Sequence, residues 1–185
     1  MRSFSEAVAR APNIVIENSN FVKRVIFPLE VLPVNLTLMG MVTEGFAMII
    51  FLSAVITLGP GLAWTALYLP AILIPQLLFT AGLCWFLAAL GVFLRDTGQI
   101  MTFLLTIWFF STPIVYYPEA LPQQFLWFFE LNPLFTIVTA YRDIFLQHTA
   151  PDWTALAWLW LLGLGAFWLG YAWFYKIKKS FADLM

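Results

Sequence analysis

Glu44 is a lone carboxylate inside the first long apolar run of the chain. A charge at that depth is costly and marks a functional site by default. Two chemistries suit it. It could carry a proton, or it could accept hydrogen bonds that tie helices together. A proton relay needs a second titratable group at depth, and no Asp, Lys or His stands within an apolar run beside it. The hydrogen-bonded structural role is therefore favoured. A second constellation lies at Gln99, Thr102, Thr106, Phe109, Pro113 and Tyr116, which recur at steps of three and four. That spacing puts them on one helical face, opposite Leu, Ile, Phe and Trp. One reading is a polar helix–helix contact, since threonines bond across spans. The other is the wall of a translocation path, because sugars present both hydroxyls and apolar C–H faces. The second is preferred for Phe109 and Tyr116.

Other chemistry is excluded by what the chain lacks. An embedded glycosyl or phosphoryl transferase needs clustered Asp, Glu or His, and neither an Asp-x-Asp nor a His-x-x-His pattern occurs. The single cysteine, Cys84, and the single histidine, His148, make a protein metal cluster improbable. There is no Gly-x-x-x-x-Gly-Lys-Ser/Thr loop, so the chain has no phosphate cradle of its own for ATP. A net charge of −1 leaves no basic patch for nucleic acid.

The elements that position these residues belong in a membrane. Of 185 residues, 62% are hydrophobic and 10% charged, against about 25% charged in soluble domains. The expected fold is an all-α polytopic membrane protein with about four transmembrane helices, forming one membrane domain. The spans are expected at 34–58, 62–94, 100–117 and 153–175, the second tilted or kinked at Pro70 and Pro75. Arg2, Arg10, Lys23, Arg24, Arg95, Lys176, Lys178 and Lys179 fall on one side under this assignment, and Arg142 alone on the other. The positive-inside rule then predicts cytoplasmic termini and a cytoplasmic 95–99 turn, where Asp96 would cap the third span.

Residues 1–32 are expected to form a cytoplasmic segment with an amphipathic helix beginning near Ile14, capped by Asn13. The organisation continues with three spans over 33–117, an outer segment over 118–152, and a last span and tail over 153–185. Within the outer segment, 125–129 and 134–146 are helical in rhythm but too short to span. They are either interfacial helices or a re-entrant pair, the latter tolerated only where protein or water satisfies the backbone. Arg142 and Asp143 are adjacent, so each is expected to pair elsewhere, with Glu130 or Glu119 as candidates.

Two blocks carry a resemblance. The stretch 18–33, NSNFVKRVIFPLEVLP, resembles the cytoplasmic segment of the permease subunits of polysaccharide and teichoic acid ABC exporters, at Lys23, Phe27, Pro28, Glu30, Leu32 and Pro33. The stretch 94–146 is similar to their second signature, at Arg95-Asp96, Ser111-Thr112-Pro113-Ile114, Leu131-Asn132-Pro133-Leu134 and Tyr141-Arg142-Asp143. The resemblance implies a permease homodimer working with separate ATPase subunits that hold ATP and magnesium. Its cargo would be a lipid-linked polysaccharide, such as O-antigen, capsule or teichoic acid, crossing the bacterial inner membrane. It places Asn18, Phe21, Lys23, Arg24, Phe27, Pro28 and Glu30 at the ATPase contact, and Glu130, Asn132, Pro133, Tyr141 and Arg142 at an outer gate. Members of that family have six spans, so this chain looks like the C-terminal two-thirds of one, with two further spans expected ahead of Met1. The alternatives are an ABC exporter of drugs or another lipid, and, from different classes, a proton-coupled transporter or a membrane transferase.

Overall fold

The computed structural model describes residues 2–22, 28–58, 61, 63–112, 114 and 129–181. Among these, helices and turns account for the architecture, and no strand occurs. Helix α1 is Arg2–Glu17, α2 Ser19–Val22, α3 Val31–Leu58, α4 Leu69–Phe93, α5 Thr97–Phe110, α6 Pro133–Arg142 and α7 Trp153–Ile177. A 3-10 turn, Trp64–Tyr68, precedes α4, and a π-helical turn, Asp143–Gln147, continues α6.

Among the described residues, three segments are long and apolar enough to cross a membrane: Val31–Thr57, Trp64–Phe93 and Trp153–Ser180. The expected third span of the four is shorter than the sequence suggests. At 14 residues, α5 rises about 21 Å at 1.5 Å per residue, below the ~30 Å of hydrocarbon. It closes at Phe110, where the Ser111 amide bonds the Ile107 carbonyl at 2.9 Å and the Thr112 amide bonds that of Phe109 at 3.2 Å. Pro113 follows and has no N–H to continue the ladder. Residues 115–117 of the expected span lie outside the described residues.

Helix α4 is the hub, and two prolines shape it. Pro70 sits in its first turn, where the missing N–H costs nothing. Pro75 lies inside the helix and cannot bond the Ala71 carbonyl four residues back. That carbonyl instead accepts the indole N–H of Trp160 on α7, at 3.0 Å. Below this point the two helices meet backbone to backbone. A Cβ on Gly82 would lie 2.2 Å from the Ala166 carbonyl oxygen, and one on Gly170 would lie 2.1 Å from that of Gly82. Only glycine tolerates such a crossing, and small residues are how membrane helices come this close.

The N-terminal helix departs furthest from expectation. It starts at Arg2, ten residues or more before Ile14, and runs through Pro12 rather than beginning after it. Asn13 therefore caps nothing; its side chain lies beside Gly98 instead. Phe4, Ala7, Val8, Ala11 and Val15 are buried against α3, α4 and α5. Helix α1 is thus wedged among the apolar helices. It stops at Glu17, where Asn18 Nδ2 donates to the freed Ile14 carbonyl at 2.8 Å.

Candidate functional site

Helix α1 brings Ser3 to Glu44. Ser3 Oγ donates to Glu44 Oε2 at 2.8 Å, and Gln76 Nε2 on α4 donates to Oε1 at 2.9 Å and Oε2 at 3.0 Å. One carboxylate on α3 therefore gathers donors from two other helices. Charge-assisted bonds of this kind are stronger than neutral ones, and stronger again away from water. Gln76 is 4% exposed, and its Oε1 has no hydrogen-bond partner among the described residues. Neither Ser3 nor Gln76 was singled out from the sequence, because they lie 41 and 32 residues from Glu44.

The other face of α1 is charged. Arg2, Glu6 and Arg10 are exposed along it at four-residue steps, one helical turn apart. A groove of about 620 Å³ separates this face from α5, with Arg2, Ser5 and Glu6 on one bank and Thr102, Thr106 and Phe109 on the other. A second groove, about 390 Å³, lies between α1 and α3, lined by Ser3, Glu6, Arg10, Gly40 and Thr43 among others. Glu6 borders both. The predicted stripe on α5 is thus brought together at three of its positions, facing charges that sequence reasoning had assigned to the cytoplasm.

Within the groove the threonines bond their own helix, Thr102 Oγ1 to the Gly98 carbonyl at 3.0 Å and Thr106 Oγ1 to that of Thr102 at 3.1 Å. Each hydroxyl keeps acceptor capacity for a ligand. Gln99 is exposed at the first turn of α5; Pro113 and Tyr116 lie outside the described residues. Arg2 lines the groove together with Phe109 and Phe110, toward the opposite end of α5 from Arg95. Phe109 stands twelve residues beyond Thr97, about 18 Å along the helix axis. Trp108 on α5 packs edge-on against Phe4 of α1, with ring centroids 5.5 Å apart.

Asn132 organises the outer segment. Its Oδ1 accepts the Leu134 amide at 3.0 Å, capping α6, and also the Trp108 indole N–H at 2.7 Å. Its Nδ2 donates to Thr112 Oγ1 at 3.3 Å. Pro133 occupies the first helical position, where its missing N–H is harmless. Arg142 Nη2 donates to the Ile114 carbonyl at 3.3 Å. Tyr141 stacks on Phe145 with centroids 6.2 Å apart, and Glu130 is exposed. At 10 residues, α6 rises about 15 Å and cannot span.

At the other end of α3, the Pro28 carbonyl accepts the Val31 amide at 3.1 Å and starts the helix. The Glu30 carboxylate pairs with Lys178. Burial alone would raise the Glu30 pKa, but the hydrogen bond and charge of Lys178 outweigh it and hold the group below its usual value. Asp96 occupies the N-cap of α5 without accepting a side-chain bond; the Thr97 hydroxyl closes that turn onto the Leu94 carbonyl at 2.6 Å. Asn18, Pro28 and Glu30 of the predicted contact are described. Lys23, Arg24, Phe27 and the Phe21 side chain lie outside the described residues.

A carboxylate within an apolar helix that takes donors from two others, and a groove with charges on one bank and hydroxyls on the other, fit a conduit better than a catalytic centre. Residues 1–146 match the ABC-2 type transporter family. The chain belongs to the ABC-2 type transporter membrane family. It is 28% identical over 182 residues to the O-antigen export system permease protein RfbA of Myxococcus xanthus, covering 97% of this chain and 70% of that protein. To a protein of the same name from Klebsiella pneumoniae it is 27% identical over 176 residues, covering 92% of this chain and 66% of the relative. This ABC-2 chain is therefore a multi-pass membrane permease, spanning about two-thirds of the length of those relatives.

Proposed function

We propose that this chain is the transmembrane subunit of an ATP-driven exporter that carries lipid-linked polysaccharide across the bacterial inner membrane. The C-terminus and the 95–99 turn are cytoplasmic, whereas α1 carries Arg2 toward the opposite end of α5, and two copies form the conduit. A separate ABC ATPase binds ATP and magnesium and supplies the work, while this chain binds no cofactor. The relatives named as O-antigen export permeases support the cargo class.

The observation that carries the reading is the groove between α1 and α5. Its banks hold guanidinium, carboxylate and hydroxyl groups together with the Phe109 ring. A glycan chain needs such a mixture, because each sugar offers donors, acceptors and an apolar face. The four-residue steps Arg2–Glu6 and Thr102–Thr106 on the two banks each advance about 6 Å. A sliding polymer then exchanges equivalent partners and meets no deep trap.

Surface polymer measured beside permease abundance tests this. Phe109→Ala and Glu6→Gln should each lower export several-fold with abundance unchanged. Phe103→Leu, on an exposed apolar face of α5 outside the groove, should leave export intact. Export loss that merely follows protein loss, or equal loss in all three, would remove the groove as the path.

A further inference from the structure

The end of α7 and the segment ahead of α3 meet in a compact knot that none of the path residues enters. Glu30 is held twice. Its carboxylate takes the Lys178 ammonium, and its backbone carbonyl accepts the Trp85 indole N–H of α4 at 3.0 Å. Lys178 also lies over the Tyr175 ring, 4.1 Å from the centroid. The paired side chains are 26% and 17% exposed, so solvent and salt screen them less than a surface pair. Beyond Lys178 a 3-10 turn, Lys178–Ser180, continues the helix. Phe181 is fully buried, edge-on to Phe174 at 5.5 Å and to Phe93 at 6.4 Å. Leu29 packs into the same cluster with Val15 of α1.

We propose that Lys178 is a positioning residue that straps the segment entering α3 to the end of α7. A displacement arriving at residues 28–30 thereby reaches three spanning helices at once. Helix α3 begins at Val31, so Glu30 is the last residue before its rigid rod. The Trp85 bond carries the load to α4 and Lys178 carries it to α7. Through Trp85 alone the load reaches α7 indirectly, by way of α4, the Gly82–Gly170 crossing and the Trp160–Ala71 bond. The ion pair ties the segment entering α3 directly to the end of α7. This inference rests on the exporter reading, in which the partner ATPase acts through the segment that precedes Glu30.

The test uses the whole permease–ATPase complex, in cells for surface polymer and in nanodiscs for ATP hydrolysis. Lys178→Glu and Glu30→Lys should each cut export about tenfold while hydrolysis stays within twofold and permease abundance holds. The swap, Glu30→Lys with Lys178→Glu, should recover at least half of the export. Lys179→Glu, the same charge change as Lys178→Glu but at an exposed neighbour, should be silent. Wild-type export from Lys178→Glu overturns the strap, as does a swap no better than the single changes, or an export loss that follows abundance. The two readings fail separately: if the Phe109 variant still loses export, only the strap is lost. If export is indifferent to both sets, the groove and the strap both fall; polymer export undiminished by deleting this chain is what would remove the exporter reading.

Discussion

The carbonyl oxygen of Pro12 stands 1.9 Å from where a Cβ on Gly91 would be built. Helix α1 therefore seats its proline directly on the backbone of α4, and the absent side chain is what lets it enter the bundle. The groove beside α5 and the clamp on Glu44 both depend on that seat, since Ser3, Arg2 and Glu6 all ride on α1.

Gly91→Ala should accordingly unseat α1. Overpacking costs ~1–3 kcal/mol and more where backbone is the obstacle. A fall in the thermal midpoint of the detergent-purified protein should accompany loss of export. Gly165→Ala on α7, which meets nothing within 4 Å, should leave both unchanged. Equal tolerance of the two substitutions would show that α1 does not sit where it is described.

Glu44 gives a second contrast. Glu44→Gln keeps an oxygen for the Ser3 hydroxyl and should be mild. Glu44→Leu strands the Ser3 hydroxyl and the Gln76 amide without partners, at ~1–3 kcal/mol for each buried group. Thermal unfolding of the two variants should separate them clearly. If Glu44→Gln abolished export at normal abundance and stability, a proton-carrying role would replace the structural one.

The Glu30–Lys178 pair predicts an acid limb in stability. Because the folded-state pKa of Glu30 lies below its ordinary 4.5, its contribution is present above that value and is lost as pH falls through the folded one. Between pH 6 and pH 3 the wild type should lose more thermal stability than Glu30→Gln, whose amide does not titrate. Parallel curves would mean the pair contributes nothing.

Hydropathy made the long apolar runs legible, because burial in lipid demands continuous apolar sequence. It did not show that α5 ends at Phe110, since Ile114, Val115 and Tyr116 continue the apolar pattern past Pro113. Helix α1 was read wrongly for a physical reason. Pro12 looks like a helix breaker, and Arg2, Glu6 and Arg10 look like water-facing charges. Yet Phe4, Ala7, Val8, Ala11 and Val15 recur at helical spacing on the opposite face, and that period was available. The Asn132-Pro133 pair is also a recognisable helix start. Its bond to Trp108 was not recoverable, because nothing in the spacing of residues 24 positions apart specifies a contact.

Helices α4 and α7 touch through Gly82 and Gly170, whereas α5 buries only Thr97 and Leu105 among its described residues. This difference sets which amides exchange with deuterated water. Interlocked backbones open at nearly the full cost of unfolding, while a helix with two buried side chains opens far more cheaply. The bank carrying Thr102, Thr106 and Phe109 is therefore the compliant one, and the bank carrying Arg2 and Glu6 is anchored at Gly91. A conduit built this way widens by yielding on one side, so its bore can follow the girth of whatever passes while α4 and α7 keep their register.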